Sequence, residues 1–190
     1  MLISAICFLI MGATFAQEKG NRFGIELNGD VSFVSNELAG ASLNTGLGFE
    51  TILQYRFMPY TSVYGGWGYS HFNAEESFAG ADVDFEQTGY ILGLQFLYPH
   101  KNTPVSYFAR AGMLYSHIET ENSNGDIISD TGHGVGFQAA LGVEVGLGKN
   151  WTLAPGIKFN YLAGETDIES VNYQLEHRYV SARIGIIKRF

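Results

Sequence analysis

Eight charged side chains fall in the polar phase of stretches that otherwise alternate apolar and polar. They are the acids Glu26, Asp30, Glu50 and Glu144 and the bases Arg56, Arg110, Lys158 and Arg183. In an extended chain successive side chains point to opposite faces, so residues of like parity share one face. Four acids and four bases enclosed on one face must pair, because an isolated buried charge is costly. Such a set can gate a narrow passage by exchanging partners, or it can plug the passage and fix the register of the segments carrying it. The plug is the expected use where the enclosed face is narrow, because side chains then fill the interior.

Two other chemistries are considered. Ser116, His117 and Glu119 are close in sequence, and His71 and His133 fall at the same outward parity as His117. A nucleophile and its base must be within hydrogen-bond reach. Ser116 and His117 are adjacent in an extended segment and point to opposite faces, so they cannot form that pair. No catalytic residue is expected, and the histidines read as residues at the outward ends of their segments. The acids of the connections could offer oxygen ligands to Ca²⁺ or Mg²⁺, but Asp126 and Asp130 lack the glycine and closing glutamate of an EF-hand loop. They read as solvated acids, and no metal site or cofactor is expected. Asn124-Gly125-Asp126 has the composition of a loop-tip turn.

The elements that position these residues have period two almost throughout. Strands are expected over 22–33, 43–57, 61–72, 86–98, 105–117, 132–147 and 151–161, with an eighth ending at Phe190. In the first, Phe23, Ile25, Leu27, Val31 and Phe33 oppose Arg22, Gly24, Glu26, Asn28, Asp30 and Ser32. In the last, Val180, Ala182, Ile184 and Ile186 oppose Ser181, Arg183 and Gly185. Lys188 takes an apolar-parity position near the end, where its stem can snorkel. Short connections at 58–60, 99–104 and 148–150 alternate with longer ones near 34–42, 73–85, 118–131 and 162–177.

These eight runs predict an all-β, antiparallel up-and-down barrel. The direction of its apolar face is the remaining question, since a soluble lipocalin-like barrel has the same period with that face inward. Glycines crowd the polar face, which suits a narrow interior and serves no purpose on a wet exterior. Aromatics cluster near the short turns (Tyr55, Phe57, Tyr60, Tyr98, Tyr107, Trp151) and again near the longer connections (Phe33, Trp67, Tyr69, Tyr115, Tyr161). Two such girdles mark a barrel that spans a bilayer. The apolar face is therefore expected to meet lipid.

The first 16 residues read as a signal peptide: an apolar run from Leu2 to Met11, then Thr14-Phe15-Ala16 as a small-x-small cleavage pattern. The single cysteine, Cys7, lies within it, so residues 17–190 hold no disulfide or thiolate site. Ile6 is too large for the residue before a lipidated cysteine, so no lipid anchor is expected. The formal charge of −8 comes from acids gathered in the longer connections, while Lys19, Arg22, Arg56, Lys101, Lys149, Lys188 and Arg189 collect at the opposite end. That pattern gives no indication of nucleic-acid binding.

With its leader, eight strands, two girdles and the aromatic Phe190 on the apolar face of the last strand, the chain resembles the small outer-membrane barrels. That family includes the transmembrane domain of OmpA and the OmpX group. The resemblance implies a monomer in a bacterial outer membrane, surrounded by lipid and lipopolysaccharide, with Phe190 as the signal read by the barrel assembly machinery. It also implies short periplasmic turns and longer extracellular loops that could meet an extracellular ligand. Roles in the family range over envelope structure, adhesion, serum resistance and small gated pores, and some small barrels modify lipid A. An envelope-structural or surface-interaction role is expected here, with a gated pore or a lipid A-modifying enzyme as the alternatives.

Overall fold

The computed structural model describes residues 21–38, 40–77, 80–168 and 171–190. The expected leader and Cys7 lie outside the described residues. Among the described residues nine strands follow one another: β1 (Phe23–Val34), β2 (Gly46–Met58), β3 (Thr61–Ser77), β4 (Gly80–Pro99), β5 (Val105–Glu121), β6 (Ile127–Asp130), β7 (Gly134–Gly148), β8 (Trp151–Ile168) and β9 (Val171–Arg189). Every pairing is antiparallel. β1 pairs with both β2 and β9, and β4 with β5, so eight strands close into a barrel. β6 stands outside that ring, paired on the upper end of β5 through Glu119↔Asp130 and Thr120↔Ser129.

The alternation sets which side chains enter the barrel. Along β1, Phe23, Leu27 and Phe33 are exposed while Glu26, Asn28, Asp30 and Ser32 are buried. The outward apolar stretch from Phe23 to Phe33 covers ten residue steps, about 33 Å of strand. At a tilt of roughly 40° that is about 25 Å of height, the thickness of the apolar band of a spanning barrel. Ring contacts knit both borders of the band: Phe23–Tyr55 at 4.9 Å and Tyr60–Phe96 at 6.4 Å near the short turns, and Phe49–Trp67 at 5.6 Å and Phe137–Tyr161 at 5.3 Å near the other end. Lys188 behaves as its position requires. Its Nζ reaches the Lys149 carbonyl at 3.0 Å and stands 4.8 Å from the centre of the Trp151 ring.

The long connections differ from the sequence-based expectation. Residues 73–85 and 162–177 are mostly strand, with β3 and β4 running on to Ser77 and from Gly80, and β8 and β9 to Ile168 and from Val171. Residues 118–131 hold the end of β5 and all of β6. The physical reason is that period two continues while its polarity inverts. Above the band the outer face carries Asp84, Glu86, Glu119, Glu121, Glu176 and Arg178, and the inner face carries Phe72, Ala74, Val83, Phe85, Ile118, Leu162 and Leu175. The barrel thus rises beyond the bilayer with water outside it. Leu38 and Ala41, which bond each other across the β1–β2 connection, turn inward and join this apolar cluster.

Close packing inside accounts for particular glycines. Gly93 and Gly112 face each other across β4 and β5. A Cβ on Gly112 would come within 2.6 Å of the Tyr64 hydroxyl oxygen. Tyr64 therefore lies over a glycine floor, as Phe108 does over Gly142 and Gly156.

Candidate functional site: the barrel lumen

Seven of the eight charged residues singled out in the sequence are buried in the barrel, with Glu26 fully enclosed. Glu26 on β1 is the hub of one group. Its Oε2 accepts from Arg110 Nη2 at 2.5 Å and from Gln54 Nε2 at 2.6 Å, and its Oε1 accepts from Arg183 Nη2. Both guanidinium groups also lie over the Phe108 ring, Arg110 at 5.0 Å and Arg183 at 5.8 Å from its centre. A flat aromatic face attracts a cation, so Phe108 holds the two arginines side by side above the one carboxylate they share.

Lys158 on β8 centres a second group. Its Nζ donates to Asp30 Oδ2 at 2.7 Å and to Glu50 Oε1 at 2.8 Å. Glu50 also accepts from Gln138 at 2.7 Å and Asn28 at 3.3 Å, and Ser32 Oγ donates to Asp30 at 2.9 Å. The third group is nearer the short-turn rim, where Glu144 accepts from Arg189 and, at 2.9 Å, from Gln95. Gln95 in turn accepts from Arg110 Nε at 2.5 Å, which joins the third group to the first.

Arg56 was expected as the fourth base. Its Nη2 donates to the Asn21 carbonyl at 2.8 Å, at the short-turn rim. The base that closes on Glu144 is Arg189, which has the inward parity of Arg183 but lies so near the end of its strand that it reads as a rim residue. Sequence reasoning also passed over the neutral members, Gln54, Gln95 and Gln138, whose positions in the polar phase were the available signal. With Arg189 included, four carboxylates meet four bases. A low-dielectric interior tolerates charges only when they are matched and hydrogen-bonded in this way.

Above the ionic groups Tyr179 accepts from Asn160 at 2.7 Å, and Phe72, His177 and Tyr179 pack ring against ring. A cavity of about 20 Å³ lies between the two tiers, against Glu50, Ser70, Gln87, Ser116, Asn160 and Tyr179. That is room for about one water. His177 stands above the lipid-facing part of β9, fully buried, with no hydrogen-bond partner on either ring nitrogen among the described residues. Burial pushes it down to about 3, so it stays neutral.

The rim residues weighed for catalysis are also placed. Ser116 is buried in the lumen while His117 lies on the outer face, stacked on His133 at 4.5 Å and 3.0 Å from Asp130. His71 faces Asp84 at 3.4 Å. Serine and imidazole therefore stand on opposite sides of the barrel wall. At the β5–β6 tip, Gly125 takes φ +81° and its N–H donates to the Asn122 carbonyl at 2.9 Å, which makes the tight turn expected there.

An apolar band between two girdles, a polar lumen and an all-antiparallel closed ring leave one kind of protein. A family model described as the outer membrane protein beta-barrel domain matches residues 3–183. The chain belongs to that family. Its place is the bacterial outer membrane, with the short turns periplasmic and the strand extensions extracellular. Among solved structures it is similar to the neisserial surface protein A (NspA), with 16% identity over 88% of this chain and 97% of that one and a TM-score of 0.65. It is similar also to OprG of Pseudomonas aeruginosa, with 13% identity over 90% and 96% of the two chains and a TM-score of 0.62. The outer membrane protein W of E. coli gives 12% identity, 92% and 100% coverage and a TM-score of 0.55. At such identities the likeness is one of fold. No curated protein sequence matches the chain at a significant level.

Proposed function

We propose that this barrel serves an envelope-structural or surface-interaction role, with a lumen that is plugged rather than conducting and with no enzymatic activity. The observation that carries the reading is the matched set of four acids and four bases across the lumen, roofed by the apolar tier of Phe72, Phe85, Leu38 and Tyr179. A hydrated ion passing such a barrel would have to part several buried ion pairs and then cross a dry layer. Each step is costly in a low dielectric. The separation of Ser116 from His117 supports the non-enzymatic half of the proposal.

The test is a planar-bilayer recording on refolded mature protein, together with mass spectrometry of lipid A from cells that express it. Silence at moderate voltage with unaltered lipid A is the expected result. A steady open channel overturns the plug, and deacylated or acylated lipid A overturns the non-enzymatic reading.

A further inference from the structure

On the outer wall above the upper girdle, three residues converge that are spread over 14 positions of sequence. His117 and Glu119 are two apart on β5 and so share the outer face, and β6 folds back to set Asp130 directly opposite Glu119. His117 Nδ1 stands 3.0 Å from Asp130 Oδ1 and 3.7 Å from Glu119 Oε1, and one ligand atom from each of the three lies within 4.8 Å of the others. We propose that His117, Glu119 and Asp130 form a surface site for a divalent transition ion of the Zn²⁺ class, open to water or a lipopolysaccharide phosphate in its fourth position.

Geometry is the first support. A tetrahedral ion with bonds of about 2.0–2.1 Å has ligand atoms about 3.3–3.4 Å apart. The two nitrogen–oxygen separations bracket that value, so small side-chain movements complete the site. The β6–β7 connection already holds the ligands: the Gly132 N–H donates to Asp130 Oδ1 at 2.8 Å, and His133 lies between His117 and Tyr115 with its ring parallel to His117 within 12°.

Donor chemistry is the second, and it separates the site from an acidic patch. Ca²⁺ and Mg²⁺ favour all-oxygen shells, whereas a mixed imidazole and carboxylate set suits Zn²⁺ and its neighbours. Charge is the third. Glu86 and Glu121 gather around Glu119 within the same 4.8 Å, and among the described residues the ion pairs on β3 to β6 of this face have His71 and His117 as their basic partners, while Arg178 on β9 pairs with Glu176. A divalent cation would offset this crowding. The side chains of His117, Glu119 and Asp130 are 15%, 26% and 45% exposed, so an ion can enter from outside.

The experiment is Zn²⁺ titration calorimetry on untagged mature protein, refolded in detergent and stripped with a chelator. One Zn²⁺ per barrel is expected. Loss of even an outer-shell partner weakens a metal site roughly 10- to 100-fold, so His117→Ala and Asp130→Asn should each weaken binding at least ~10-fold. His100→Ala, at a periplasmic turn, should leave binding unchanged, and excess Ca²⁺ should not displace the Zn²⁺. Heat-modifiable migration of each variant checks that it is folded. No saturable binding up to ~100 μM Zn²⁺ would overturn the proposal. So would binding unchanged in His117→Ala, equal loss in His100→Ala, or ready displacement by Ca²⁺.

Discussion

Replacing Glu26 with Gln keeps the shape of the hub and removes its charge. The carboxylate accepts four hydrogen bonds from three side chains, Arg110, Arg183 and Gln54. Without it two buried guanidinium groups remain over Phe108, and Glu144, which Gln95 links to Arg110, is already engaged by Arg189 and Gln95. Removing one partner of a buried pair costs about 3–5 kcal/mol. With a urea slope of about 2 kcal/mol per molar, the unfolding midpoint in lipid vesicles should fall by roughly 2 M, followed through the fluorescence of Trp67 and Trp151. A second substitution tests the cause. Arg110→Met in the Glu26→Gln background removes one of the stranded cations and should recover part of the loss, giving a coupling energy of at least ~1 kcal/mol in a double-mutant cycle. A Glu26→Gln loss below ~1 kcal/mol, or strict additivity with Arg110→Met, would refute the view that matched charge holds this lumen together.

Other outcomes follow from the same structure. Gly112→Ala should cost about 1–3 kcal/mol by overpacking against the Tyr64 hydroxyl and should be partly rescued by Tyr64→Phe, whereas Gly93→Ala, whose Cβ would meet the Ala111 carbonyl oxygen at 2.3 Å, should not be rescued; paired vesicle-unfolding curves decide it. His177 is neutral in the fold down to about pH 3, while in the unfolded chain it takes a proton near 6.5. Its contribution is therefore fully present above pH 6.5 and is lost as pH falls. Between pH 7.5 and 5.5 the wild type should lose about 1 kcal/mol more than His177→Leu, read from unfolding curves at the two pH values. Phe190 is exposed on the lipid face, and Phe190→Ala should lower outer-membrane yield in cells while refolding in detergent stays near normal; equal yields in cells would count against its role in assembly.

The spanning part of the barrel was legible because a single rule, alternation, sets both the strand and the face of every side chain. Once Phe23 and Leu27 are assigned to lipid, Glu26 and Asp30 have no place but the lumen, and the same step fixes Lys158 and Arg183. Partner choice was less legible. Glu144 and Lys158 share the inner face, but Glu144 turns to Arg189 and Lys158 to Asp30 and Glu50. Parity gives a face and a height, whereas pairing depends on side-chain reach across a tilted ring, and no single strand encodes that. The outer cluster was illegible for a related reason. Asp130 meets His117 only because β6 returns onto β5, and a four-residue strand leaves almost no periodic trace.

The inversion of polarity along β3, β4, β5, β8 and β9 carries the deeper argument. Acids at 84, 119 and 121 read as loop residues because a strand in a membrane does not show charge to lipid. Yet Val83, Phe85 and Ile118 keep the beat between them, and all are buried. The phase change marks where lipid gives way to water. Below it the exterior must be apolar, and the narrow lumen can be polar if its charges match. Above it the exterior must be polar, and the interior is free to be apolar, which is how a soluble barrel packs. The same strands thus solve the burial problem twice, with opposite faces. The seam falls between the ionic tier around Glu50 and the aromatic tier around Tyr179, and the cavity with room for about one water lies there because neither solution governs the join.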